Sequence, residues 1–332
     1  MEIIAISGQT CSGKTNVAIS LVKSLDKMEL TSVVVNTDSR QIYKYLDIGT
    51  AKIDGVWKLH TKTGLKAFFH QDVPHYLMDY VDIKTSKSLY SLANFLQDWF
   101  CLYKVFQKSG IDYVILVGGS GLYVAGILKG YNFKKFDQQQ KLFFEKEKQR
   151  LNFLTLEELQ EEFEITFCKQ NYSIKKPLNR SEHYNPRRLV NKILSQKISK
   201  VSSLQATDYT NSKLNSKSNL KLKHVAYFVC IKPDFEELKI KIKNKVFERL
   251  DLGLVEEVKK LALSKDLFLS LGLDYRVVFY YLRGFFSKKE MVDRLIIENT
   301  KYAKRQMTWI KKQNPIWVKN SKDVLKLLKL LD

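Results

Sequence analysis

The chain is poor in cysteine, in acid and in long apolar runs, and each shortage removes a class of protein. Its four cysteines, Cys11, Cys101, Cys168 and Cys230, are far apart with no C-x-x-C pair, which speaks against a zinc site or a disulfide framework. No apolar stretch approaches the roughly 18 residues that a membrane helix needs, so a soluble protein with no membrane partner is expected. The opening MEIIAISG has no basic leader before its apolar residues and reads as a first β-strand, which points to the cytoplasm. Acid is the scarcer charge: 35 Asp and Glu stand against 56 Lys and Arg, a net +21. The excess is concentrated. Residues 169–224 carry 13 basic and 2 acidic side chains, +11 of that total, a density that suits a polyanion partner. A compositional bias toward lysine would give the same count without one.

At 332 residues the chain has room for two domains. Short β-branched runs, EIIAIS, SVVVNT and YVILVGG, alternate with helical spacing from Lys14 and around Tyr90 to Lys108. Such alternation predicts a parallel sheet covered by helices on both faces. Around Tyr131 the texture changes to polar, charged and helical, with apolar positions at Leu142, Phe143, Leu151, Leu156 and Leu159. Residues 131–218 are therefore read as a helical, basic insertion in a catalytic core made of residues 1–130 and 219–332. The run VAYFVCI returns to the sheet, and helices over 235–253, 254–263, 277–281 and 288–311 follow.

Gly8, Gly13, Lys14 and Thr15 fit G-x-x-x-x-G-K-[ST] between a strand and a helix. Glycines let the loop's N–H groups point at phosphate oxygens, the helix N-terminus adds a favourable dipole, Lys14 adds charge, and Thr15 offers a hydroxyl to Mg²⁺. The fold class that follows is α/β, a P-loop NTPase-like parallel sheet core flanked by helices with an α-helical insertion domain. Asp38 ends the second strand, at the sheet edge where such folds bind ligands. It could help hold a metal, accept a proton from a nucleophile, or cap a helix. The third strand is the natural place for a hydrolytic carboxylate, yet it closes on Gly118-Gly119-Ser120. That lack counts against an ordinary ATPase. Residues 53–73, with Trp57, Phe68 and Phe69, suggest a packed hairpin or flap.

Several blocks share one order: Gly8 to Thr15; Asp38-Ser39-Arg40-Gln41-Ile42-Tyr43; Asp47-Ile48-Gly49-Thr50-Ala51-Lys52; Pro74 to Asp79; Leu116 to Tyr123; and Ala303 to Trp309. In these the chain resembles the tRNA dimethylallyltransferase, or tRNA isopentenyltransferase, family over about residues 3 to 310. The resemblance implies transfer of a dimethylallyl group from its diphosphate to N6 of adenosine 37 in the anticodon loop of tRNA, by a monomer working with Mg²⁺. It makes Asp38 the general base and gives Thr10 a hydrogen bond to the donor's bridging oxygen. Gly8, Gln9, Thr10, Cys11, Ser12, Gly13, Lys14 and Thr15 would cradle the diphosphate, with Thr15 toward Mg²⁺ and Arg276 neutralising the leaving group. Asp38, Ser39, Arg40 and Gln41 would read the extruded adenine and its neighbours. Ser120, Lys141 and the run Arg187, Arg188, Leu189, Val190 and Asn191 would contact tRNA.

The chain departs from the family's pattern in places. Gly8-Gln9-Thr10 replaces Gly-Pro-Thr, Gly119-Ser120 replaces Gly-Thr, and Asp274-Tyr275-Arg276 stands where the family has Gly-Tyr followed by Lys or Arg. Two other readings fit parts of the pattern. A P-loop kinase would use Asp38 on its acceptor but leaves the basic insertion unused, and an RNA-binding module would carry an inactive cradle.

Overall fold

The β-branched runs become strands because each has to bury both faces. Val33 and Val35 enter one core with Ile3, Ala5, Val114 and Leu116, while Val34 enters a second with Ile4, Ile6, Ile115 and Val117. Alternation with a period of two sends neighbours to opposite sides of the sheet, so strands covered on both faces are apolar throughout. In the computed structural model, which describes residues 1–86, 89–131, 138–168, 183–204, 226–231 and 233–331, these runs are β1 (Glu2–Gly8), β2 (Ser32–Asn36), β8 (Tyr113–Val117) and β9 (Ala226–Ile231). Between β2 and β8 come β3 (Tyr43–Lys44), β4 (Val56–His60), β5 (Leu65–His70), β6 (Val73–Tyr76) and β7 (Val81–Asp82), and β10 (Ile316–Val318) lies near the end.

The main sheet has the order β10-β9-β1-β8-β2-β6-β5-β4, and β3 pairs with β7 separately. Strands β10 to β6 are parallel neighbours. Strand β5 is antiparallel to both β6 and β4, so the extra hairpin of residues 53–73 continues the sheet as its outer edge. The parallel core is thus one part of a mixed sheet.

The contacts divide the chain into two compact units, Met1–Tyr131 with Ser218–Asp332, and Asn132–Lys217. In the first, α1 (Lys14–Asp26) and α2 (Leu92–Lys108) cover the sheet, with α3 (Gly121–Leu128) following β8. Helix α2 begins at a Ser91–Asn94 capping box, which satisfies end N–H groups that would otherwise lack partners.

The second unit holds α4 (Gln138–Asn152), α5 (Leu156–Cys168) and α6 (Pro186–Leu204). Its core is Leu151, Leu159, Phe163, Leu189, Val190, Ile193 and Leu194. Beside it, Lys197 Nζ donates to Glu147 at 2.6 Å and Glu162 at 2.5 Å. Arg150 also pairs with both carboxylates, and hydrogen bonding to Arg150 leads in holding Glu147 down to about 2. Much of the basic stretch, 169–182 and 205–225, lies outside the described residues.

The first unit then returns through β9 to α7 (Phe235–Asp251), α8 (Leu254–Lys260), α9 (Lys265–Leu271), α10 (Leu273–Leu282), the long α11 (Lys288–Lys311) and, after β10, α12 (Ser321–Leu327). Helix α11 begins at a Ser287–Glu290 capping box and buries Met291, Leu295, Asn299, Ala303, Gln306 and Ile310. That spacing of three to four residues marks one helix face. Two of its members are amides.

Candidate active site

The loop between β1 and α1 is shaped by its own short contacts. Gly13 takes the left-handed conformation, φ 84°, immediately before α1, where a residue without Cβ is least strained. The Ser12 N–H donates to the Gln9 carbonyl at 3.2 Å, and Lys14 Nζ reaches back to the same oxygen at 2.6 Å. Burial lowers the pKa of Lys14, while the charge of Asp38 acts in the opposite direction. The Ser12 hydroxyl is buried without a hydrogen-bond partner, a polar atom left for a ligand inside the cradle. Gln9 donates through Nε2 to the Ala303 carbonyl of α11 at 3.0 Å, so the residue replacing proline ties the loop to a helix almost 300 positions away.

Asp38 follows β2 and uses its two carboxylate oxygens differently. Oδ1 accepts the Arg40 N–H at 2.8 Å, closing a local turn, while the Asp38 N–H donates to Asn36 Oδ1 at 2.9 Å. Oδ2 makes no hydrogen bond among the described residues and lies beside Gly119, 3.7 Å from where a Cβ on that glycine would stand. The glycines after β8 have a steric cause. A Cβ on Gly118 would sit 2.3 Å from the Thr37 carbonyl carbon and 2.5 Å from the Asp38 nitrogen. A carboxylate side chain at that position would collide with the strand end that carries Asp38.

The cradle and the end of β8 meet on Gln306 of α11. Its Oε1 accepts the Thr10 N–H at 2.7 Å and its Nε2 donates to the Gly119 carbonyl at 3.3 Å. Tyr302 lies one turn earlier on the same helix; burial, then the nearby Asp38, pushes its hydroxyl up to about 12. The arrangement is a glycine-bounded loop whose Lys14 feels the charge of Asp38, a carboxylate with one oxygen lacking a hydrogen-bond partner among the described residues, braced by an amide from a third element.

The IPP transferase family model matches residues 41–313, most of the chain. The chain belongs to the IPP transferase family. A relative named tRNA dimethylallyltransferase 1, from Azobacteroides pseudotrichonymphae, is 30% identical over 313 residues, covering 93% of this chain and 89% of its own length. The structure is similar to that of a tRNA isopentenylpyrophosphate transferase from Bacillus halodurans, with a TM-score of 0.62 and 24% identity over 99% of this chain and 95% of that one. A eukaryotic dimethylallyltransferase acting on tRNA gives 0.65 and 17%, over 98% and 76%. At such identities the two structures speak for the shared fold. The matched model starts at Gln41, and the cradle and Asp38 lie just before it.

In this member of the family the segment after Asp38 is bound into its surroundings. The Ser39 N–H donates to Ser120 Oγ at 2.9 Å, and the Ser120 hydroxyl donates to Ser39 Oγ at 3.1 Å. Arg40 Nη2 donates to the Ser270 carbonyl at 3.0 Å. Gln41 Nε2 donates to the carbonyls of Thr50 and Ala51 at 3.1 and 3.3 Å. The Asp47–Lys52 loop beneath it is a structural clamp: Glu257 accepts the N–H groups of Asp47, Ile48 and Gly49 at 2.9, 2.7 and 3.0 Å. Arg276 is exposed on α10, and its charge reaches Glu298 along with those of Lys301 and Arg305; it makes no hydrogen bond to the cradle among those described. In the helical unit, Lys141, Arg187, Arg188 and Asn191 are exposed. Leu189 and Val190, expected at an RNA surface, are 0% and 4% exposed in that unit's core. Their side chains hold the helix instead of meeting a ligand.

Sequence reading passed over Gln306 and Tyr302 as site residues, although both lie within or beside the Ala303–Trp309 block. A usable signal was present: a tyrosine and an amide four apart share one helix face, and buried polar groups need partners.

Proposed function

We propose that this protein transfers the dimethylallyl group of dimethylallyl diphosphate to N6 of adenosine 37 in the anticodon loop of tRNA. The observation that carries the reading is the open Oδ2 of Asp38, close enough to the cradle for its charge to act on Lys14 and beside glycines that leave no room for a hydrolytic acid. N6 attacks the allylic carbon, the carbon–oxygen bond to diphosphate breaks, and the N6 proton passes to Asp38 Oδ2. An exocyclic adenine amine is a poor nucleophile, and a positioned base contributes about 10²–10⁴-fold.

Negative charge grows on the departing oxygen, where the loop N–H groups, Lys14 and the Ser12 and Thr15 hydroxyls would receive it. Lys14 Nζ would give up its bond to Gln9 for phosphate oxygens, and Arg276 would add charge from α10. Gln306 holds the Thr10 backbone, so that the Thr10 hydroxyl meets the bridging oxygen. Among the described residues no three His, Cys, Asp or Glu side chains form a metal cluster. Mg²⁺ would then take its oxygens from Thr15, water and the diphosphate itself, a donor set that suits this ion, and when bound it would neutralise the leaving group.

The adenine has to leave its stack, at a cost of a few kcal/mol. Arg187, Arg188, Lys141 and Asn191 would help hold the RNA through its phosphates, with Ser39, Arg40, Gln41 and Ser120 around the extruded base. No helix among the described residues is long and apolar enough to cross a membrane, and the reading places a monomer in the cytoplasm. The test is incubation with Mg²⁺, dimethylallyl diphosphate and an anticodon stem-loop carrying A at positions 36 and 37. A nucleoside heavier by one dimethylallyl group is expected; consumption of ATP with no prenylated RNA would favour a kinase.

A further inference from the structure

The hairpin of β4 and β5 plays no part in the chemistry above, yet it is built rigidly. His60 Nδ1 and Thr63 Oγ1 meet the Tyr76 hydroxyl of β6 at 2.8 and 2.7 Å, and the ring of His70 contacts the Asp54 carbonyl at 2.7 Å. Strand β4 is one of the two edges of the sheet, and its apolar side chains face solvent: Val56 is 54%, Trp57 39% and Leu59 61% exposed. An apolar open edge invites a partner.

Trp57 is held in place. Its Nε1 donates to Asp79 Oδ2 at 3.3 Å, and its ring meets Phe68 edge-on with centroids 6.1 Å apart. The same Asp79 carboxylate receives Lys52 Nζ at 2.8 Å, and the Asp79 N–H donates to the Gln41 carbonyl at 3.0 Å. One residue therefore anchors both the exposed indole and the backbone of the segment assigned to the extruded adenine. Lys66 stands opposite Leu59 in the hairpin register, on the face that carries Trp57, while Lys58 lies on the other face with its ammonium over the Phe69 ring.

We infer that Trp57 is a stacking platform for an unpaired base of the substrate RNA, next to the adenine that Asp38 serves. The inference rests on the RNA-prenylation reading. An indole fixed by its own N–H is ordered before the base arrives, which lowers the cost of binding. Stacking on an aromatic ring tolerates any base, since each has a π-face. Continuity with Gln41 through Asp79 and the charge of Lys66 on the same face favour RNA over a second copy of the chain pairing along β4.

The test compares wild type, Trp57→Ala and Trp57→Tyr in prenyl transfer to anticodon stem-loops, one of them a series with a single abasic site stepped through the loop. Trp57→Ala should raise the KM for RNA by about 5- to 150-fold, the range for one stacked base, with a smaller change in the KM for the diphosphate. Trp57→Tyr should recover most of the loss. At one abasic position wild type should lose the same factor and Trp57→Ala should lose nothing more. An unchanged RNA KM, an equal effect of Trp57→Ala at every abasic position, or a wild-type dimer that Trp57→Ala dissociates without altering RNA binding would each overturn the inference. If wild type binds the stem-loop but prenylates none, the function reading fails, while the abasic series read by binding still decides the role of Trp57.

Discussion

Replacing Asp38 by asparagine separates the two tasks that its carboxylate performs. The substitution keeps an oxygen where Oδ1 accepts the Arg40 N–H at 2.8 Å and leaves untouched the bond from the Asp38 N–H to Asn36. The turn after β2 should therefore persist; even complete loss of one such bond would cost only about 0.5–1.5 kcal/mol. What disappears is a proton acceptor at Oδ2. The loss of a general base corresponds to about 10²–10⁴-fold in rate, or roughly 3–5 kcal/mol of barrier, well above the structural term. Single-turnover transfer with both substrates saturating should show that drop, with dissociation constants for RNA and diphosphate within about threefold of wild type. Asp38→Ala is the control, because it removes both oxygens. If Asp38→Asn restores the rate that Asp38→Ala loses, Oδ1 and the turn are what matter, and the assignment of a base is refuted.

Three further outcomes follow from particular contacts. Gln306→Ala strands the Thr10 N–H and the Gly119 carbonyl; a loss of about 1–3 kcal/mol in urea unfolding is expected, with kcat falling more than KM, while Gln306→Glu should keep the Thr10 bond and part of the rate. His75 is 1% exposed, and burial lowers its pKa to about 4 from an ordinary value near 6.5. Between those values the unfolded chain binds a proton that the folded chain does not, so stability is full above about pH 6.5 and declines as pH falls toward 4, by about 3 kcal/mol in all. His75→Gln should flatten that part of the stability curve, and a curve unchanged by the substitution would exclude His75 as its source. Neutralising Arg187 and Arg188 together should reduce the salt dependence of RNA binding by up to about two phosphate contacts; an unaltered slope would place the RNA elsewhere.

The sequence by itself determined the elements whose signal is local. Val33 to Val35 and Ile3 to Ile6 are strands because burial on both faces requires continuous apolar residues, and Lys288–Lys311 is marked by its capping box and its apolar spacing. The cradle was legible because its spacing and glycines are a local geometry, and the family resemblance drawn from its blocks is met by the family model. Short pieces such as β3, β7 and β10 carried no such signal, since two or three residues show no period.

Tertiary structure decided what depends on approach between distant segments. Nothing in YVILVGG announces that Gly118 is required by the Thr37–Asp38 backbone, or that Gln306 would join Thr10 to Gly119. Leu189 and Val190 look like members of a basic RNA-facing run until the helix buries them against Leu151 and Phe163. A residue's type and spacing dictate its local conformation; which of its atoms remain unpaired, as Asp38 Oδ2 does, is set by the partners that folding brings to the others.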